Sequence, residues 1–195
     1  MFANIENDTA ATGGYRARRF VILGTALFTI LASPLLLSAA DEQISVREKG
    51  GTYDVRATFS VSRPPSVVTE VLTDYVRIPR YMPEVRTSQL LERQDDRAVI
   101  EQEAVAKFLM FSKRVHLVLE VQETPETIEF RDRCGQSFER YEGAWAVAAE
   151  HGDTKISYRL TATPRFDVPN WLLTRLLKRD AVEMIERLRA EIIAH

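Results

Sequence analysis

The chain has 195 residues, 45% hydrophobic and 28% charged, which suits one globular domain plus an appendage. A net charge of −2 leaves no footprint for nucleic acid, and the lone cysteine, Cys134, excludes an intramolecular disulfide. The first 40 residues read as an export segment. Arg16, Arg18 and Arg19 precede an uncharged stretch from Phe20 to Ala40, broken by Pro34 and ending in Ser38-Ala39-Ala40 ahead of Asp41-Glu42. This is a basic, apolar and small-residue order with cleavage expected after Ala40. Arg18-Arg19-Phe20-Val21-Ile22 also fits a relaxed twin-arginine pattern, which implies export in a folded state. The same 21 uncharged residues are long enough to span a bilayer as an uncleaved anchor. On either reading the basic side stays cytoplasmic and the rest faces outward, so the expected location is the periplasm or the outer face of the cytoplasmic membrane.

Residues 41–51 form a polar linker ending in Gly50-Gly51. From Tyr53 the pattern alternates. Tyr53, Val55, Ala57, Phe59 and Val61 point one way, and Asp54, Arg56, Thr58 and Ser60 the other, as in a half-buried antiparallel strand. Pro64-Pro65 then opens a helix with Val67, Val68, Val71, Leu72 and Tyr75 on one face. In Leu72-Thr73-Asp74-Tyr75-Val76-Arg77-Ile78-Pro79-Arg80-Tyr81-Met82-Pro83-Glu84-Val85, the two later prolines forbid a continuous helix. The segment reads as a helix end, a bend, one more turn and a return to strand, with two tyrosines and a methionine suited to the lip of a cavity. Strands follow at 85–93, 97–107, 112–123, 127–133, 137–149 and 154–165, separated by turn signals at Asp95-Asp96, Pro125-Glu126, Cys134-Gly135 and His151-Gly152-Asp153. A long helix runs from Asn170 to the end, its apolar stripe made by Leu173, Leu177, Ala181, Met184, Ile185, Leu188 and Ile192.

The order of one strand, two short helices, six strands and one long helix predicts an α+β domain over 52–195. A seven-stranded antiparallel sheet curls around the C-terminal helix, and the gap between them becomes a cavity suited to small hydrophobic ligands. Two motifs carry a family likeness. One is Asp74-Tyr75, Pro79, Tyr81 and Pro83; the other is Tyr141-Glu142-Gly143-Ala144-Trp145 followed by Thr154-Lys155-Ile156-Ser157-Tyr158. In both, the chain from about Gly51 onward resembles the START-like, helix-grip superfamily (SRPBCC), in particular its polyketide cyclase/dehydrase and coenzyme Q-binding branch. The resemblance implies the helix-grip fold and quinone or polyketide-like ligands. It does not choose among transporters, chaperone-like binders and enzymes.

Strand parity and the kinked segment nominate Tyr75, Tyr81, Met82, Phe108, Phe111, Phe130, Tyr141, Trp145 and Tyr158 as the ligand-binding residues. Phe108-Leu109-Met110-Phe111 is expected to cover the pocket mouth opposite Tyr81-Met82. Gly143 beside Trp145 lets a strand bend or a ligand approach the backbone. On the terminal helix, Trp171, Arg175 and Lys178, with Leu172, Leu176 and Arg179, form a basic and apolar face that fits an anionic membrane surface. Catalytic signals are thin. There is no Gly-rich phosphate loop, no Gly-x-Ser-x-Gly and no His/Cys pair at metal spacing, so no catalytic residue, metal or cofactor is assigned. Among the histidines, His116 is expected to point outward. Asp132, on the parity of Ile128 and Phe130, is the best acid/base candidate, and no base stands near Cys134 in sequence. The leading expectation is an exported binding protein for a lipid-like or isoprenoid molecule. The alternatives are a membrane-anchored accessory subunit of a membrane complex, and a cyclase or dehydratase on the same fold.

Overall fold

The structure is a computed structural model that describes residues 42–108 and 111–195. The expected export segment lies outside the described residues. Among the described residues, eight strands and three α-helices follow one another as β1 Gln43–Lys49, β2 Thr52–Val61, α1 Pro65–Thr73, a 3-10 turn Tyr75–Arg77, α2 Ile78–Tyr81, β3 Val85–Gln94, β4 Arg97–Phe108, β5 Phe111–Glu123, β6 Thr127–Asp132, β7 Phe138–Glu150, β8 Asp153–Pro164 and α3 Asn170–Ala194. The sheet is antiparallel throughout, in the order β1-β2-β8-β7-β6-β5-β4-β3.

The sheet has eight strands where the sequence predicts seven. The additional one is β1, from the segment read as a linker. Gly50 and Gly51 have φ of 60° and 79°, and they sit between the paired residues Lys49 and Thr52. Two consecutive positive φ angles are what a two-residue hairpin turn of primed type needs. The glycines therefore make a hairpin, and Ile44 and Val46 pair with Ala57 and Val55 at the sheet edge.

The alternation in β2 holds, with Tyr53, Val55, Ala57, Phe59 and Val61 all buried. Pro65 occupies the first turn of α1, where its missing N–H costs nothing, and Pro64 O accepts from Val67 N and Val68 N. The helix ends at Asp74, and Pro79 falls within the first turn of α2. These elements project Tyr75, Ile78, Tyr81 and Met82 toward one end of the sheet. The core lies between the concave sheet face and α3, whose Ala181, Ile185, Leu188 and Ile192 belong to one buried cluster with Val55, Phe59, Leu119 and Ile156 of the sheet and Val68 of α1. A smaller cluster joins Tyr53, Leu173 and Leu176 with Ala106, Phe166 and Val168. Leu176 is thus buried, which corrects its placement on the exposed basic face of the helix; Trp171, Arg175 and Lys178 are exposed.

Candidate functional site: an aromatic cavity under the long helix

Between the concave face and α3 lies a cavity of about 340 Å³. The sheet contributes Ile100, Gln102, Leu119, Val121, Ile128 and Phe130, and α3 contributes Met184 and Leu188. Seven of the nine nominated residues line it: Tyr75, Tyr81, Met82, Phe130, Tyr141, Trp145 and Tyr158. The side chains of Phe108 and Phe111 lie outside the described residues, so their expected cover over the mouth is not placed.

The wall is aromatic because three strands bring rings into register. Trp145 pairs with Tyr158 across β7 and β8, and their ring centroids are 4.3 Å apart. Phe130 on β6 lies 6.4 Å from Tyr158 and 6.0 Å from Tyr141, and Phe138 adds a ring 4.9 Å from Tyr141. Gly143 permits the arrangement. A Cβ there would collide with the Arg159 carbonyl oxygen and the Phe130 ring.

The hydroxyls divide into two kinds. Tyr75 OH donates to Glu123 Oε1 at 2.7 Å, and Arg93 holds the same carboxylate at 2.9 Å while its guanidinium lies over the Tyr75 ring. Tyr75 therefore anchors the kinked segment to β3 and β5, and its hydroxyl is already engaged. By contrast, among the described residues the hydroxyls of Tyr81, Tyr141 and Tyr158 have no hydrogen-bond partner. Burial pushes Tyr81 up to about 12, helped by Glu191 and Asp74, and pushes Tyr141 up to about 12, helped by Asp132. Tyr158 is likewise raised well above the ordinary tyrosine value, by burial first and Tyr141 second. All three remain neutral donors at physiological pH and line the cavity.

The mouth is charged. Arg187 holds Glu84 at 2.6 Å and Glu183 at 3.1 Å, linking the α2–β3 join to α3. Arg179 holds Asp180 at 2.7 Å and approaches Glu183 at 3.6 Å. Desolvation raises Asp180 despite the opposing pull of Arg179. Gln102, inside the rim, donates to the buried Ser88 Oγ at 3.1 Å. Met184 and Leu188 could be read from the apolar stripe of the helix. The Glu84–Arg187 pair, 103 residues apart, left no signal in the sequence.

Two chemical expectations resolve differently. Asp132 serves a turn: its Oδ1 accepts from Val118 N at 2.9 Å and Cys134 N at 3.2 Å, and its Oδ2 from Gly135 N at 3.0 Å. Those bonds occupy the carboxylate in holding the β6–β7 loop, so it is not free to act as an acid or base in the cavity. Cys134 does have a base beside it, from another strand. His116 Nδ1 lies 3.9 Å from Sγ, while His116 Nε2 meets Glu101 at 3.0 Å and Nδ1 meets Gln136 at 3.1 Å. Among the described residues no cluster fits a metal ion.

Several solved structures share this architecture. The protein TTHA0849 from Thermus thermophilus is 25% identical, with a TM-score of 0.60 over 72% of this chain and 97% of that one. A STAR-related lipid transfer protein from Xanthomonas axonopodis is 16% identical, with a TM-score of 0.61 over 77% of this chain and 98% of that one. The ZhuI aromatase/cyclase from Streptomyces sp. R1128 is 15% identical, with a TM-score of 0.61 over 72% and 93%. No curated protein matches by sequence. The model of one family, polyketide cyclase / dehydrase and lipid transport, matches residues 52–192, which take in β2 to β8 and nearly all of α3, and the chain belongs to that family.

Proposed function

We propose that the protein binds a neutral, largely apolar molecule carrying oxygen acceptors, of lipid, isoprenoid, quinone or polyketide-like type, in the cavity under α3. The observation that carries this reading is the set of three unpartnered phenols in a chamber whose wall is mostly aromatic and aliphatic, with Glu84, Gln102, Asp180, Glu183 and Arg187 as its other polar lining. An apolar body gains from burial, and carbonyl or ether oxygens satisfy the phenols. Removing about 300 Å² of apolar ligand surface from water is worth about 7 kcal/mol before the costs of association. The mouth carries Glu84, Asp180 and Glu183 against two arginines that they already engage, which disfavours a ligand with a free carboxylate.

The rest of the reading concerns place. Export to the outer face of the cytoplasmic membrane fits the leader pattern, and exposed Trp171 with Arg175 and Lys178 offers a surface for lipid headgroups. The enzyme alternative keeps the same chamber and is tested by turnover. The accessory-subunit alternative predicts an intact N-terminus in protein from its native membrane, which N-terminal sequencing reads directly.

Mass spectrometry of organic extracts from the purified protein tests the binding reading. A defined apolar species should accompany the wild type, and Trp145→Ala should retain several-fold less of it, because the indole supplies about 2 kcal/mol or more of contact surface. Equal retention in both, with both folded, would count against this chamber as the binding site.

A further inference from the structure

A second groove lies where the sheet opens. β6 pairs only with Leu119–Glu123 of β5, so the first half of β5 has β4 on one side and, among the described residues, no strand on the other. The loop before β7 closes part of that edge: His116 N donates to Ser137 Oγ at 3.0 Å, and Arg133 N to Val118 O at 2.9 Å. Beside it remains a groove of about 730 Å³ lined by Arg86, Lys113, Arg114 and Arg165, with His116 and Gln136 in its wall.

The charge there is out of balance. Among the described residues, none of the four cations has a carboxylate oxygen within 4.0 Å. The lining holds one acid, Glu103, against four permanent positive charges, while the whole chain carries −2. His116 adds nothing to the surplus, because Glu101 stands against it at 3.0 Å. Two arginines of the outer sheet face are paired: Arg131 is held by Glu120 and Arg159 by Glu129. Local geometry aims one of the four. Arg86 sits at a register shift between Val85 and Thr87, where β3 bulges against β4, and bulges re-aim side chains. A concave site concentrates the field of such charges, and guanidinium groups match phosphate oxygens with paired donors.

We propose that this groove, formed by Arg86, Lys113, Arg114 and Arg165 at the open edge of β5, binds a phosphate-bearing anion. It is separate from the apolar chamber and independent of what that chamber holds. Two sources share the chemistry, a phospholipid headgroup and a soluble phosphate.

The test uses the full chain at low salt with two probes: inorganic pyrophosphate by calorimetry, and flotation with phosphatidylcholine vesicles with or without one part in four phosphatidylglycerol. Binding to pyrophosphate alone identifies a soluble ligand. A preference for the anionic vesicles over the neutral ones that the groove variants lose identifies a headgroup; a preference they keep belongs to the Trp171, Arg175 and Lys178 face and overturns the proposal for lipid. In either case the double variant Lys113→Gln with Arg114→Gln should weaken the interaction by roughly tenfold or more, the scale of a lost charge-assisted contact. Arg131→Gln with Arg159→Gln, on the paired outer face, should leave it unchanged. Arg165→Gln provides a second groove variant, checked like the others by its unfolding curve, should the double variant fail to fold. The proposal is overturned if neither probe binds, or if the outer-face variant weakens binding as much as the groove variants do.

Discussion

His116 shows how one residue takes its character from neighbours that sequence does not place beside it. Its hydrogen bond to Glu101 is the largest cause of a raised pKa, ahead of the opposing desolvation and the contribution of Gln136. A histidine whose folded pKa exceeds its unfolded value stabilises fully below about 6.5, and that contribution fades as pH climbs through the folded value. Glu101→Gln should move the His116 midpoint down toward about 6.5 in an NMR titration of its ring protons. An unchanged midpoint would show that the pair seen here is not maintained in solution. Asp132 teaches the converse. Parity with Ile128 and Phe130 hinted at a carboxylate in the cavity, but three backbone N–H groups at the strand end claimed it first. A strand-terminal aspartate followed by Cys-Gly is well placed to accept from the turn it begins.

The elements around the cavity mouth differ in how firmly they are held. The Tyr75–Arg77 turn is held by the bond from Tyr75 to Glu123 and by Arg77 against Glu191 of α3, whereas the join from α2 to β3 is tied to α3 by Glu84 and Arg187. The latter pair is partly exposed, at 33% and 40%, so it contributes under about 1 kcal/mol to stability. Its expected effect is on opening of the cavity mouth. Arg187→Met keeps the aliphatic stem and removes the latch; ligand release measured by stopped-flow fluorescence should quicken several-fold while the unfolding midpoint barely moves. Unchanged release would place the gate elsewhere. The strands show how legible elements were. All six from β3 to β8 fall within two residues of their sequence boundaries, because each is long, alternating and bounded by turn residues. β1 escaped because a seven-residue strand rich in Gln, Arg, Glu and Lys looks like a tether until its hairpin partner is known. Ile44, Val46 and the Gly-Gly pair were the available signal.

The whole molecule stores a stability term in its phenols. Burial pushes Tyr81 and Tyr141 up to about 12 in the folded chain, from the ordinary 10.0 that they regain on unfolding. The unfolded chain therefore loses those protons first. Stability present below pH 10 should fall as pH rises from 10 toward 12. Denaturant midpoints measured across that window should decline more gently for Tyr141→Phe than for the wild type; parallel declines would mean the ring is solvated in the folded state.

What the amino-acid order determined by itself was local and periodic. It marked the strand and helix boundaries, the kink that two prolines impose on Tyr75–Pro83, the faces on which Tyr141, Trp145 and Tyr158 stand, and with them the likeness to the helix-grip family. These follow from backbone sterics and from side-chain repeats of about two and 3.6 residues, which act between near neighbours. What only the tertiary structure decided was pairing at long range. It set β1 as the eighth strand, Leu176 in the core, Glu84 against Arg187, His116 beside Cys134, and four unbalanced cations around one open edge. Charges and hydroxyls carry no periodic signature, so their partners emerge only when the curled sheet brings distant strands within a few ångströms of one another.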